Sequence, residues 1–402
     1  MSTLLAGLAL SLMPVFPLLG GLALLLGLVK ERLYVGHSNP WLPFIRLSAS
    51  DKMALGLLLL SSTLTLFVCT FPLQHLAGLF SHYLLPLWIV SGFLSALQAG
   101  RLNRVFLRQV WLWGLGALAL VALLNYFGNW HGHLRLWQLP FFDRPYLLDL
   151  SLAPAQERAG GPALNPNLLG LLMALGWPLA LKQATHSQSR QARLAWGGLC
   201  LLLLVAAGVS FSRSAWLALL AAQLLLLTAS PALRSASGFS LLSTTALLLM
   251  PQSQSRIQTL FAAEHSTNEL RWQIWQAGLK MFNDFWLTGT GLLHFEQVYP
   301  VYQIANRGSA HLHNALLQIA VESGLIFALC LAYFALKLFV NARKQPEIQA
   351  AWLALGVFAC FDFPLADLRV LVCLATLIAL QAIENTPASD KAKSLLTAEG
   401  IC

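Results

Sequence analysis

The chain has 402 residues, of which 57% are apolar and 10% charged, with a mean hydropathy of +0.66 and a net charge of +9 at pH 7. A soluble domain carries about 25% charged residues, so this composition cannot cover a water-facing surface and excludes a soluble enzyme. The apolar residues fall in blocks of roughly 17–25, the length of a bilayer span, which makes the expected fold an all-α polytopic membrane protein.

Residues 3–29 contain Pro14, Pro17 and the pair Gly20-Gly21, and predict two short helical pieces forming a hairpin, since these residues break a continuous helix. They lack a basic n-region and a small-residue cleavage site, so they read as retained spans and not as a signal peptide. Further spans are expected near 53–70, 80–98, 109–127, 165–182, 194–212, 214–229, 238–250, 315–340, 348–362 and 368–385, about twelve in all. One helix over 194–229 would be about 54 Å long, against a hydrocarbon core of ~30 Å. Two spans are therefore expected there, turning at Ser210-Phe211-Ser212-Arg213-Ser214.

The expected organisation is nine spans over 1–250 with an outside loop near 128–164, a large outside loop over 251–314, three spans over 315–385, and a short polar tail over 386–402. In the large loop, Ser266 and Glu269 have capping-box spacing. They open an amphipathic helix near 268–283, with Trp272, Trp275, Leu279 and Phe282 along one side, expected to lie at the membrane interface.

Charge sorting sets the orientation. The loops on the side of the termini carry sixteen of the 25 Lys and Arg, and the other side nine. The positive-inside rule places both termini in the cytoplasm. The outside set is eight arginines and one lysine, Lys280, and arginine is the residue suited to bidentate phosphate binding. The +9 thus reads as topology plus an anion site, and no nucleic-acid partner is expected. The six cysteines lie in apolar spans or at the C-terminus without CxxC spacing, so neither a disulfide framework nor a zinc site is expected.

Three constellations on the outside carry chemistry. Arg213 sits in the serine-flanked turn Ser212-Arg213-Ser214-Ala215-Trp216 and opens an inward-running helix, whose N–H groups and positive dipole end favour an anion. The plainer alternative is an arginine snorkelling to lipid headgroups. Arg271 lies in the first turn of the loop helix, one turn before Trp275. Arg256 and Arg307 are weaker candidates in the same loop. His313 is expected in the first turn of the span from Ala315, where the helix dipole and nearby arginines disfavour the imidazolium and leave a ring able to accept a proton. His311 and Asn314 flank it in supporting positions. A metal held by His311 and His313 finds no third ligand in the sequence, and His131 and His133 read as loop polar residues.

The absences matter as well. There is no DxD and no close carboxylate pair of the glycosidase kind. Glu264, Glu269, Asp284 and Glu296 are scattered, Asp362 and Asp367 read as structural groups or partners of an arginine, and Gly289-Thr290-Gly291 reads as a turn. Outside arginines, one histidine base, no metal and no second acid suit glycosyl transfer from a lipid diphosphate donor: diphosphate leaves once its charge is neutralised, and the acceptor hydroxyl needs one base.

At these residues the chain resembles the O-antigen ligase family within the O-antigen ligase/polymerase superfamily. His313-Asn314, nine residues and Gly324 match the family's His-(Asn/Ser)-x9-Gly pattern. The Arg213 turn resembles the family's arginine turn, and Arg271 with Trp275, Gly289-Thr290-Gly291 and Phe295 resembles its loop arginine and Gly-x-Gly stretch. The resemblance implies a GT-C-like enzyme of the bacterial inner membrane with its active site facing the periplasm. His313 would be the base, and Arg213 and Arg271 would hold the diphosphate of an undecaprenyl-diphosphate-linked O-antigen. The glycan would pass to lipid A–core with inversion, without metal or other cofactor, among membrane lipids. The alternatives are an O-antigen polymerase, a protein O-oligosaccharyltransferase, disfavoured because about seventeen residues follow the last span, and a lipid-linked glycan transporter. The last is disfavoured because transporters place polar groups near the midplane, whereas these charges collect at the outer face.

Overall fold

The computed structural model describes residues 3–34, 48–138, 146–152, 158–163, 165–249, 251–261, 266–304 and 308–384. Helices α1 (Thr3–Leu12) and α2 (Pro17–Tyr34) form the expected broken pair. Then come α3 (Ala49–Val68), α4 (Pro72–Gln98) with a π-helical stretch at Phe80–Leu84, and α5 (Arg104–Gly128). After the hairpin described below, the chain forms α6 (Pro166–His186), α7 (Arg190–Val209), α8 (Arg213–Leu226) and α9 (Pro231–Leu248). The large loop contains α10 (Pro251–Phe261), α11 (Ser266–Phe285) and α12 (Phe295–Tyr302). Three apolar helices close the fold: α13 (Ala315–Asn341), α14 (Pro346–Ala359) and α15 (Leu368–Glu384).

By length and composition six helices are able to cross a membrane: α3, α4, α5, α6, α7, and α13 with its continuation to Lys344. The chain is a polytopic helical membrane protein. The expected twelve spans are not all reached by that measure: α14 has only 14 residues, and α9 is interrupted by Arg234 and a series of serines and threonines. The outward faces are apolar, with Phe67 and Leu73 each 82% exposed, as lipid-facing surfaces are. At the centre, α6 is buried from Leu168 to Leu181, and its Trp177 shares one buried core with Trp111 of α5. A helix apolar on all sides belongs in such an interior.

Two expectations need correction. The loop near 128–164 is not free of strands: Gly132–Gln138 (β1) and Tyr146–Leu152 (β2) pair antiparallel, with Gly132 opposite Leu152 and Leu134 opposite Leu150. The fold is therefore not strictly all-α. The signal was present as the period-two leucines 134, 136, 148, 150 and 152. The second correction concerns α11. Its tryptophans do not share one membrane-facing side, because Ile274, Ala277 and Met281 are buried against α12 and α13 while Trp272 and Leu279 point away. Trp275 instead turns inward and its Nε1 donates to the carbonyl of Leu312 at 2.8 Å. The side chain of Ser266, the expected cap, lies outside the described residues.

The turn at 210–214 is as expected: α7 ends at Val209, Phe211 takes φ 46°, and Ser212 caps α8. Less expected is a break inside α13. Gly324 has φ 80° and ψ 167°, and the strand-like segment after α11 supplies the hydrogen bonds the helix loses there. Thr290 and Gly291 donate to the carbonyls of Val321 and Glu322, and Leu325 donates to that of Trp286. A Cβ at Gly289 would stand 2.4 Å from the Glu322 backbone, and one at Gly324 2.2 Å from the Leu287 oxygen. The Gly-x-Gly stretch and the last residue of the His-Asn-x9-Gly pattern are thus two halves of one backbone crossing.

Candidate active site

Three helix N-termini are tied together at one end of the bundle. Asn165 caps α6, Ser212 caps α8 and Asn314 caps α13, each accepting a backbone N–H through its side chain. Such ends leave unpaired N–H groups and a partial positive charge, a setting that favours anions.

The histidine pair lies just before α13. His313 does not enter the first helical turn as expected, because Asn314 takes the cap position and accepts the N–H of Leu317 at 3.0 Å. His313 instead precedes the cap in a left-handed conformation, φ 52°. Its Nδ1 is 3.2 Å from Oδ1 of Asp362, and Nε2 of His311 is 3.1 Å from the same oxygen. The two imidazoles lie 4.3 Å apart between centroids. Asp362, on the turn between α14 and α15, also accepts the N–H of Phe363 at 2.9 Å and, through Oδ2, the amide of Asn167 at 2.9 Å. Burial raises the tendency of this carboxyl to hold a proton, but the hydrogen bonds from His311 and His313 outweigh it and hold Asp362 well below the usual carboxylate range.

This fixes the tautomers. An ionised carboxylate only accepts, so Nδ1–H of His313 donates to Asp362 and the lone pair of the neutral ring sits on Nε2, which has no hydrogen-bond partner among the described residues. The expectation that helix dipole and arginines alone govern this ring is incomplete, since a carboxylate sits directly against it.

From Asp362 the network reaches the arginines. Asn167 accepts from Nη2 of Arg158 at 2.7 Å, and Nε of Arg158 donates to the carbonyl of Ser210 at 3.0 Å, in the turn that carries Arg213. Burial pushes the Arg158 guanidinium down to about 10, and the charges of Arg256, Arg271 and Arg213 push the same way, while Asp362 opposes them. Arg213 donates to Oδ1 of Asn268 at 3.0 Å, which ties α8 to the first turns of α11 where Arg271 stands. Four guanidinium groups thus share one electrostatic neighbourhood.

Of the residues expected from the sequence, His313, His311, Arg213 and Arg271 are brought together. Asn314 acts as the cap and donates to the carbonyl of Cys360 at 3.1 Å, and Trp275 holds Leu312. Arg256 joins the arginine group although its motif was weak, and Arg307 and Glu264 lie outside the described residues. His131 and His133 stand on the hairpin segment. Glu269 pairs with Gln273, Asp284 with Tyr302, and Asp367 with Arg369. Sequence reasoning missed Arg158 and Asn167, which sit in no motif, and read Asp362 as a structural group or the partner of an arginine without its contact to the histidines.

Asp362 is also the third ligand that a metal reading lacked. Donor atoms of His311, His313 and Asp362 lie within 4.8 Å of one another, and two imidazoles with a carboxylate suit a divalent transition metal. The surroundings do not fit that ion: the carboxylate is already engaged by Phe363 and Asn167, and the four arginines repel a dication. The cysteines Cys69, Cys200, Cys330, Cys360 and Cys373 are all unbridged.

Fold and site together define a polytopic membrane protein with a histidine–carboxylate pair beside a cationic, anion-accepting wall. Residues 198–332, a third of the chain, match a family model described as O-antigen ligase. That segment holds Arg213, Arg271, His311, His313 and Gly324, so the similarity to this family covers these residues of the site. Arg158, Asn167 and Asp362 lie outside the matched residues. No curated protein matches the chain.

Proposed function

We propose that this protein transfers a glycan from a polyprenyl diphosphate donor, undecaprenyl-diphosphate-linked O-antigen, to a sugar hydroxyl of lipid A–core. The observation that carries the reading is the pairing of His313 with Asp362 across from Arg158, Arg213, Arg256 and Arg271. Nε2 of His313 takes the proton of the acceptor hydroxyl as its oxygen bonds to the anomeric carbon. The bond from that carbon to the diphosphate oxygen breaks on the opposite face, its electron pair leaves with the diphosphate, and the configuration inverts. Arg213 and Arg271, backed by Arg158 and Arg256, stabilise the charge that develops on the leaving group. No step calls for a metal.

The surroundings support a lipid-borne donor. Below Asn314 an apolar cleft of about 440 Å³ runs between α13, α14 and α15, lined among others by Leu316, Ile319, Phe339, Trp352, Gly356 and Leu365. A polyprenyl chain starts at the diphosphate itself, whereas the acyl chains of lipid A–core are separated from the attacked sugar by the inner core. A chain entering the membrane from this site is therefore the donor's. In the proposed topology about twelve segments cross the bacterial inner membrane, both termini are cytoplasmic by the positive-inside rule, and the site faces the periplasm.

The test is a reconstituted reaction of lipid-linked polysaccharide with three acceptors: lipid A–core, a growing lipid-linked glycan, and a pilin-type protein. Transfer to lipid A–core alone supports the ligase. Transfer to the second makes the protein a polymerase, transfer to the third a protein glycosyltransferase, and movement of donor across vesicles without transfer makes it a transporter.

A further inference from the structure

His313 holds a backbone conformation that L-residues seldom adopt, φ 52°, and such strain persists only where the surroundings hold it. The peptide before it is gripped from both sides. Leu312 is fully buried, its carbonyl accepts from Nε1 of Trp275 at 2.8 Å, and its N–H donates to Oε1 of Gln318 at 2.7 Å. Gln318 is 1% exposed and its own N–H donates to the carbonyl of Asn314. Its side chain therefore reaches back over the first turn of α13 to the residue before the histidine.

The orientation of that amide is determined by two neighbours. The Leu312 N–H can only donate, so Oε1 faces it. The other end lies toward the carboxyl group of Glu322, one turn further along α13, whose further neighbours are the backbone N–H groups of Leu293, just before α12, and of Phe295 at its start. Glu322 is 5% exposed and sits beside the backbone crossing at Gly324. Gln318 thus joins the loop carrying the Gly-x-Gly stretch to the loop carrying His313. On the other side, Asp362 holds the ring at Nδ1.

We infer that Gln318 is a positioning residue: by holding the Leu312 peptide, with its amide oriented by Glu322, it keeps His313 in the left-handed conformation that directs Nε2 to the acceptor. This rests on the reading of His313 as the base. Gln318 touches no substrate and acts only through the histidine.

The experiment compares Gln318→Leu, Gln318→Glu and the exchange Gln318→Glu with Glu322→Gln, each in full-length protein in detergent or nanodiscs. Gln318→Leu leaves the Leu312 N–H unpaired, and Gln318→Glu replaces the amide–acid pair with two acids one turn apart. Both are expected to lower kcat roughly tenfold or more, as a misplaced catalytic group does, with donor KM unchanged within about twofold. The exchange keeps an acceptor for Leu312 and a complementary pair with residue 322, and is expected to recover most of kcat.

A second readout needs no acceptor. Carbethoxylation of His313 by diethyl pyrocarbonate, followed by mass spectrometry across pH, should change several-fold in Gln318→Leu, while that of the exposed His131 stays constant. If Gln318→Leu folds and leaves both kcat and the modification profile of His313 as in wild type, the inference is overturned. If His313→Ala itself retains transfer, the base assignment is what fails, and the modification experiment still decides whether Gln318 positions the ring.

Discussion

Nδ1 of His313 stands 3.2 Å from Oδ1 of Asp362, 49 residues further along the chain. This one contact joins the turn after α14 to the loop before α13, and in the proposed mechanism it is what directs His313 as the base. Asp362 carries a charge at every ordinary pH because two imidazoles donate to it. The same carboxylate reaches Arg158 through Asn167, so the group that orients the base and a group of the anion wall share one network.

Replacing Asp362 by Asn removes the charge and places an amide against Asn167, while the ring of His313 keeps its space. A charge-assisted hydrogen bond is worth about 1.5–3 kcal/mol, so kcat for glycan transfer is expected to fall roughly 10- to 100-fold with little change in donor KM. His313→Ala should abolish transfer and Arg213→Ala should do the same, both with normal membrane insertion. Gel-resolved transfer by purified variants checks all three.

Arg158, Arg213, Arg256 and Arg271 share one electrostatic neighbourhood, in which their charges act against one another. Burial and its three neighbours depress Arg158 to about 10; it remains protonated at pH 7, so the folded protein carries the cost of its charge and an arriving anion relieves it. Inorganic pyrophosphate should therefore raise the Tm of the wild-type protein, less so at high salt because screening weakens such contacts. Arg158→Gln, Arg213→Gln and Arg271→Gln should each raise the Kd for pyrophosphate roughly tenfold, in line with the loss of one charged hydrogen bond. Thermal shift and calorimetric titration check this, and unchanged affinity in all three would remove the anion wall from the mechanism.

Much of the fold and part of the site were legible. Apolar block lengths located the helices, Pro14 and Pro17 the break between α1 and α2, and the length of 194–229 the turn at Arg213. The hairpin was missed because its leucine alternation lay in a segment read only as loop. Within the site, His313, Arg213 and Arg271 were readable because each sits in a compact motif at the start of a helix. Arg158 and Asp362 were not, because their chemistry arises from long-range contacts: Asp362 meets His313 across 49 residues and Asn167 across 195, and neither segment signals its partner. The same holds for Gly324, whose spacing from His313 was visible while its purpose, contact with Leu287, was not.

The depressed Asp362 gives a stability dependence of definite sign. A carboxylate held below its unfolded value stabilises the fold above that value, about 3.9 for Asp, and the contribution is lost as pH falls further. The Tm difference between wild type and Asp362→Asn should be constant from pH 7 to pH 5 as far as this group is concerned, and should narrow below about pH 4. Differential scanning fluorimetry in detergent over that range tests it.

Chelation addresses the alternative use of His311, His313 and Asp362. If these residues serve as a base and its orienting groups, transfer should be unaffected by EDTA or 1,10-phenanthroline, and added magnesium or manganese should not raise kcat. A loss of activity on chelation that is restored by one particular ion would assign the three residues to a metal.

Gly324 offers a test of the crossing that supports the site from below. An alanine there must adopt φ near 80° and put its Cβ 2.2 Å from the carbonyl oxygen of Leu287. This region of φ and ψ is essentially confined to glycine and costs another residue about 1–3 kcal/mol, and the clash is with backbone, which cannot rotate away as a side chain can. Relief requires the segment 286–291 to withdraw, which breaks the bonds from Thr290, Gly291 and Leu325. Gly324→Ala is therefore expected to lower the Tm and to loosen the loop over Glu322, with transfer falling as well because Gln318 loses its oriented partner. Gly197→Ala in α7 serves as the control, since a Cβ there meets nothing within 4 Å. Proteolysis of the 286–291 segment together with thermal unfolding separates the two outcomes: a Gly324→Ala protein as stable and as resistant as the Gly197→Ala control would mean that the crossing does not hold α13 in its broken form.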